Sequence, residues 1–425
     1  MTKGRSGRVG IVTSSFFPLT GGAERQCLKL ARSLQTRDDL AWVLTERINL
    51  NSPWAEVVDG IRVHRVGAVA LWRRLRRALT GSLSDNTATT YEKLRQRGVK
   101  RALHWLKQCV AQVLVSLPAI FFVWRRRGSI RVLVCFFFSP LEAITCRVAR
   151  RLGIPVVVRP TNSRQYLFLG LVARWQQESL LAADRIVAIS QDIRKQLVLH
   201  GVDDSRIRVI PNGVDVPVET WAGHEPHRYA AVCVANLSQQ PLKGLDVLVE
   251  AWALVTRDQG PSRLLICGRG NPSPLLRLAQ RHGVREFVEF AGFVKDVTPT
   301  LLQAALFVLP SRVDGMSNAL LEAMALGMPC VATSVSGSVD LIDSGRNGIL
   351  VPVEDPLALA NAIVGVLGKP HIQAQLGVEA RRTIQGGYTT ELMAGRYQRL
   401  LAELAPSLSR PDPDSTASLT QRLQS

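Results

Sequence analysis

Asp314 and Glu322 stand with seven residues between them, in a stretch that reads Ser311-Arg-Val-Asp-Gly-Met-Ser317 and then Asn318-Ala-Leu-Leu-Glu-Ala-Met-Ala-Leu-Gly327. The second run is apolar on nearly every face, the pattern of a buried helix. An ionised Glu322 inside it needs a polar partner, because an unpaired buried charge costs on the order of several kcal/mol. Ser317 suits an N-cap, and Gly327 with Pro329 suits a stop. Helical side chains lean towards the N-terminus, so Glu322 is aimed back at a mouth that Asp314 approaches from the preceding loop. Free amides and the helix dipole at that mouth favour an anion. Two acceptor carboxylates beside an anion-binding helix end suit a ligand with both hydroxyls and phosphates, such as a nucleotide sugar. The competing reading is a turn cap at Asp314 and a structural ion pair at Glu322.

Other motifs lie along the chain in a fixed order. Gly21-Gly22-Ala-Glu24 precedes a helix with apolar positions Ala23, Cys27, Leu28, Ala31 and Leu34, and adjacent glycines there let a bulky group approach free amides. No Gly-Lys-Ser/Thr follows, so it is not a Walker loop. Ile210-Pro-Asn-Gly-Val-Asp215 reads as a turn near a hinge. Asn236 leads to Lys243-Gly244, where a lysine at a loop-to-helix junction is placed to meet a diphosphate. Cys267-Gly-Arg269-Gly270, Leu309-Pro-Ser311 and Asn347-Gly-Ile-Leu-Val-Pro352 follow.

Positioning these residues falls to short apolar strands that alternate with helical patterns. The strands expected are Val9–Thr13, Ala41–Leu44, Ile61–Val66, Val132–Phe138, Val156–Arg159, Ile186–Ile189 and Arg208–Ile210, then Ala230–Ala235, Leu264–Cys267, Val288–Ala291, Phe307–Pro310, Cys330–Thr333 and Gly348–Leu350. Such alternation predicts two doubly wound, Rossmann-like α/β domains facing across a cleft, with ligands at the carboxyl ends of the strands. The expected limits are 1–215 for the first domain, 216–228 for a linker and 229–390 for the second domain. A helix over 391–404 is expected to pack back on the first domain, and the Pro- and Ser-rich segment 405–425 reads as a disordered tail.

The 425 residues are 46% hydrophobic and 20% charged, which is globular and long enough for two cores. Seven scattered cysteines without a CxxC pair read as reduced core residues, and dispersed histidines give no ground to expect a metal site. No apolar leader opens the chain, so a cytoplasmic protein is expected. The net charge of +19 is concentrated between Leu71 and Arg127, where thirteen Lys and Arg face two acids. Within that insert, Leu71-Trp-Arg-Arg-Leu-Arg-Arg-Ala-Leu79 segregates apolar residues from four arginines. A second apolar stretch, Cys109 to Trp124, ends in Arg125-Arg-Arg127. Together they predict docking on the anionic inner face of the plasma membrane, the alternative being a helix that covers the sheet. Nucleic acid is not an expected partner, because the basic charge is interleaved with aliphatic runs and no recognition motif accompanies it.

The ordered set Gly-Gly-Ala-Glu, Ile-Pro-Asn-Gly-Val-Asp, Lys-Gly, Leu-Pro-Ser, acid-x7-Glu and Asn-Gly-Ile-Leu-Val-Pro resembles the retaining family 4 glycosyltransferases of GT-B fold, over about Val9 to Leu404. The resemblance implies a nucleotide-diphosphate sugar as donor substrate, with no cofactor and no metal, and a glycan or polyprenyl-linked acceptor in cell-surface polysaccharide synthesis. It implies that Glu322 holds the ribose and that Asp314 lies near the donor sugar with Gly315, Met316, Ser317 and Asn318 around it. Lys243 would offset charge on the departing diphosphate, and Gly21 and Gly22 would close over it from the first domain. The chain departs from the family at Asp314, where glutamate is usual, and at Asn236, where an arginine is usual. Arg269 or Arg312 is expected to supply the missing cation. A histidine usual after the strand at Val156–Val158 is replaced by Arg159-Pro-Thr-Asn162, so no catalytic histidine is assigned. These departures leave a catalytically reduced, nucleotide-sugar-binding or scaffolding subunit as the alternative function.

Overall fold

The structure, a computed structural model, describes residues 8–18, 21–47, 51–67, 117–136, 139–160, 174–221, 223 and 227–406. The first half contains strands β1 (Val9–Thr13), β2 (Leu40–Glu46), β3 (Ala55–Val58), β4 (Ile61–Val66), β5 (Val132–Phe136), β6 (Val156–Arg159), β7 (Arg185–Ala188) and β8 (Ile207–Val209). They form one sheet in the order β3-β4-β2-β1-β5-β6-β7-β8, parallel apart from the β3–β4 hairpin. Strands β1 and β5 are buried at every position, as continuous Val/Ile/Leu runs require in a sheet covered on both faces. The second half contains β9 (Ala231–Val234), β10 (Leu264–Cys267), β11 (Val288–Gly292), β12 (Phe307–Leu309), β13 (Cys330–Thr333) and β14 (Ile349–Val351). These pair in parallel in the order β11-β10-β9-β12-β13-β14.

Each sheet reverses its direction of growth at one point, between β1 and β5 in the first and between β9 and β12 in the second. Loops leaving neighbouring strands there diverge and open a crevice at the carboxyl ends. The Gly21-Gly22 loop follows β1, the Lys243 segment follows β9, and the Asp314 loop follows β12, so the motifs fall at the two switch points.

Strand β3 was not among the expected strands. It is a four-residue edge strand with alternating exposure, joined to β4 through Asp59 and Gly60, both at positive φ. An Asp-Gly pair between apolar flanks is a hairpin signal, and the short, half-polar strand before it lacks a strong pattern of its own.

Helix Gly22–Thr36 buries Cys27, Leu30, Ala31 and Leu34 on the first sheet. The chain's last described helix, Thr390–Leu404, returns to the same layer and adds Met393, Tyr397, Leu400 and Leu401. Between the sheets, Trp221 is anchored to the second domain by Nε1 donating to the Ala304 carbonyl at 2.9 Å. Six of the seven cysteines are buried thiols, and Cys109 lies outside the described residues.

Residues 71–116 of the basic insert, including its first amphipathic stretch, lie outside the described residues, as do 407–425. Residues 117–126 form a helix. Its Ala119 and Val123 are buried, and Phe122 packs edge-on against Trp42 at 4.9 Å and beside His64 at 4.8 Å. Leu117, Phe121 and Trp124 are exposed, with the Arg127 guanidinium 5.0 Å above the Trp124 ring. Among the described residues, no helix is long and apolar enough to cross a membrane.

Candidate functional site

A cleft of about 610 Å³ lies between the two domains, walled by Gly21, Gly22, Arg25 and Arg159 from the first and by Asn236, Lys243, Arg269, Asp314 and Glu322 from the second. The element that matters most is helix Asn318–Leu326, whose Leu320, Leu321 and Ala323 through Leu326 are buried. Ser317 caps it by accepting from the Leu320 amide, and Gly327 ends it in the left-handed conformation. Glu322 is the exception on this greasy helix. It faces the cleft with 24% of its side chain exposed, and its Oε1 accepts from the Arg25 guanidinium at 2.9 Å. Burial raises the Glu322 pKa above the usual carboxylate range, with Arg25 and then Lys29 pulling it back. The polar partner that the sequence demanded is therefore a cation of the opposite domain, and an open gap remains around the pair.

Lys243 and Asp314 meet inside the second domain, Nζ to Oδ2 at 2.7 Å, with 19% and 14% of their side chains exposed. The glycine after Lys243 makes this meeting possible. Gly244 has φ +60°, and a Cβ there would stand 2.0 Å from the Pro310 carbonyl oxygen, so only glycine lets the loops after β9 and β12 press together.

The remaining site candidates divide. Gly315, Met316 and Ser317 line the cleft with Asp314. Asn318 also reaches it, but spends its side chain as a strut between domains. Its Oδ1 accepts from Asn212 at 2.9 Å and Gln26 at 3.1 Å, and its Nδ2 donates to the Gly22 carbonyl at 2.8 Å. A Cβ on Gly22 would sit 2.9 Å from Asn318 Nδ2, so the glycine admits this close approach of the two helix starts. Gly21 is the N-cap of its helix. Asn236 turns its Oδ1 onto the Ser238 amide at 3.0 Å, a local turn rather than a cationic contact. Arg269 is exposed at the cleft wall, its guanidinium 3.9 Å from the Phe293 ring centroid.

Arg312 does not fit the role expected for it. Asp246 holds it through two bonds of 2.7 and 2.9 Å, Glu354 through a third of 2.7 Å, and it is absent from the cleft wall. A guanidinium committed to two carboxylates has no spare charge for a phosphate.

Two arginines of the cleft, Arg25 and Arg159, carried no role in the sequence reading. Arg25 follows the Gly-Gly pair in the first turn of its helix, a place from which a long side chain spans to the other domain. Arg159 closes the all-buried strand β6 and is 2% exposed, and burial pushes its guanidinium pKa down. A charged residue ending a Val-Val-Val strand at its carboxyl end was the available signal. Among the described residues, no group of three or more His, Cys, Asp or Glu stands close enough to hold a metal ion.

Comparison with known proteins gives this cleft its context. The family model Glycosyltransferase Family 4 matches residues 20–217, and Glycosyl transferases group 1 matches residues 228–369. D-inositol 3-phosphate glycosyltransferase 2 of Catenulispora acidiphila is 32% identical over 251 residues, 52% of this chain and 58% of that protein. D-inositol 3-phosphate glycosyltransferase of Jonesia denitrificans is 27% identical over 410 residues, 89% of this chain and 91% of that protein. Thus the chain spans under two thirds of the first relative's length and nearly all of the second's. Among solved structures, Anabaena HepE in complex with UDP and glucose superposes with a TM-score of 0.68 at 17% identity, covering 93% of this chain and 99% of that one, a likeness of fold.

Proposed function

Because the chain belongs to the family 4 glycosyltransferases of GT-B fold, we propose that it moves a hexosyl group from a nucleoside diphosphate sugar to a glycan or polyprenyl-linked acceptor. Transfer retains the anomeric configuration and serves cell-surface polysaccharide assembly on the inner face of the plasma membrane. The observation that carries this reading is the convergence of Lys243, Asp314, the capped start of helix Asn318–Leu326 and Glu322 on one interdomain cleft. Lys243 and the free amides at the helix start oppose the negative charge that grows on the nucleoside diphosphate as its bond to the sugar breaks. Asp314 stands beside the transferred sugar. Glu322 accepts from the ribose hydroxyls, and Arg269 is the remaining candidate for the cation that Asn236 does not supply.

The Arg25–Glu322 pair does not stand in the way of a donor. With a third of the Arg25 side chain exposed, such a pair contributes about 1 kcal/mol or less, whereas each hydroxyl bonded to an ionised carboxylate contributes about 1.5–3 kcal/mol. The ribose therefore wins the carboxylate.

A thermal-stabilisation screen of uridine, guanosine and adenosine diphosphate sugars tests the reading, because a ligand that binds only the native state raises its apparent stability. Uridine sugars come first, since HepE holds UDP and glucose. One base is expected to raise Tm in the wild type and not in Glu322→Ala, and donor turnover is expected to follow that base. Binding without turnover on any acceptor would favour the scaffolding alternative, and no binding at all would end the reading.

Membrane docking draws its support from the exposed Leu117, Phe121 and Trp124 beside Arg125, Arg126 and Arg127, an apolar edge with a basic border. The protein is expected to sediment with vesicles containing anionic lipid at moderate salt, and Phe121→Ser with Trp124→Ser to weaken that. Sedimentation no greater than with neutral vesicles would remove the membrane from the proposal.

A further inference from the structure

Two arginines of the described structure are equally inaccessible, each 2% exposed, and they are treated differently. Arg65 has an acid: its Nε donates to Glu56 at 2.9 Å and a second nitrogen donates to the same carboxylate. Arg159 has none among the described residues. Its guanidinium lies 4.8 Å over the Phe136 ring, one terminal nitrogen donates to the Asn212 side-chain oxygen, and the other has no hydrogen-bond partner. An amide oxygen and a ring face do not neutralise a buried cation, and carrying one unpaired is costly. Arg159 also lines the cleft. A cation kept buried at the wall of a binding cleft, without a carboxylate partner among the described residues, is placed to meet an anion.

The position narrows which anion. Arg159 ends β6 in the first domain and stands behind Asn212, which donates to the Met316 carbonyl at 3.1 Å and to Asn318 Oδ1 at 2.9 Å. That places it towards the loop carrying Asp314, the acid assigned to the transferred sugar, on the side assigned to the acceptor. The diphosphate is provided for on the other wall by Lys243 and the helix amides. We infer that Arg159 recognises a carboxylate or phosphate carried outside the nucleotide diphosphate, on the transferred sugar or on the acceptor. This rests on the cleft being a nucleotide-sugar site, and it makes the substrate class acidic.

The test is calorimetric binding with full-length protein. One arm compares the nucleoside diphosphate hexose with the corresponding hexuronate. The other compares glucose with glucose 6-phosphate in the presence of saturating nucleoside diphosphate. A charge-assisted contact in a buried site is expected to favour the anionic member at least about ten-fold in one arm, and the arm identifies where the anion is carried. Arg159→Gln is expected to erase that preference, and Arg159→Lys to keep part of it, with affinity for the nucleoside diphosphate alone unchanged in both. Equal affinity for neutral and anionic members in both wild-type arms overturns the inference, whether or not the variants fold. So does a matching loss of affinity for the nucleoside diphosphate alone in Arg159→Gln, which would make this arginine a diphosphate ligand. A wild type that binds no nucleoside diphosphate sinks the parent reading and this one with it.

Discussion

Lys243 meets Asp314 at 2.7 Å within the second domain, whereas Arg25 meets Glu322 at 2.9 Å across the gap between the domains. The first pair is built on two loops that Gly244 lets press together, so its geometry survives any change in the distance between domains. The second exists only while the domains are close, and its arginine is the more exposed partner. A fixed pair suits the bond that breaks, since groups acting on a transition state must not reorganise as charge develops. A pair that opens with the cleft suits binding and release.

Kinetics separates the two roles. Lys243→Met is expected to lower kcat by about 10²–10³-fold, the scale found when one preorganised donor is removed from a developing anion. Its Tm is expected to fall as well, because Asp314, with 14% of its side chain exposed, is left without its cation. Glu322→Gln keeps the side chain's shape but weakens acceptance of hydroxyl hydrogens, so the donor KM is expected to rise about ten-fold with a smaller change in kcat. Steady-state kinetics on both variants checks the split. A Lys243→Met enzyme that changes only KM would erase the distinction.

How much of this was open to the sequence depends on whether local pattern or distant geometry decided it. The helix Asn318–Leu326 was legible with its cap and its stop, because Ser317, the apolar run and Gly327 are consecutive and each acts locally. Strands such as Val156–Arg159 and Cys330–Thr333 were legible for the same reason: parallel strands buried on both faces are continuous apolar runs. Strand β3 was not, since an edge strand needs no apolar face. Arg25 as the partner of Glu322 was beyond reach, because nearly three hundred residues separate them and nothing local records which cation faces a carboxylate across a cleft. Arg312 illustrates the reverse error. It sits two residues before Asp314 in the same loop, but Asp246 and Glu354 capture it first.

The cross-domain pair can be sharpened further by pH. The hydroxyls of a ribose need an ionised Glu322, and that carboxylate is held above the usual range by burial and drawn back chiefly by Arg25. Donor affinity in the wild type is therefore expected to be flat at neutral and alkaline pH and to fall as pH drops through this raised pKa, because protonation converts an acceptor oxygen into a donor. Arg25→Ala removes the main opposing charge and leaves burial unanswered, so the acid limb moves to higher pH. Glu322→Gln has nothing to titrate and loses the limb. At alkaline pH the alanine variant is expected to bind the nucleoside diphosphate within about five-fold of wild type, since the pair it loses contributes about 1 kcal/mol or less in either direction. Affinity titrations from about pH 4 to about pH 9, a span that begins at roughly the ordinary carboxylate range and passes histidine, decide it. Should the limb stay in place when Arg25 is gone, the pair does not govern Glu322, and the contrast between a fixed and an opening pair loses its second member.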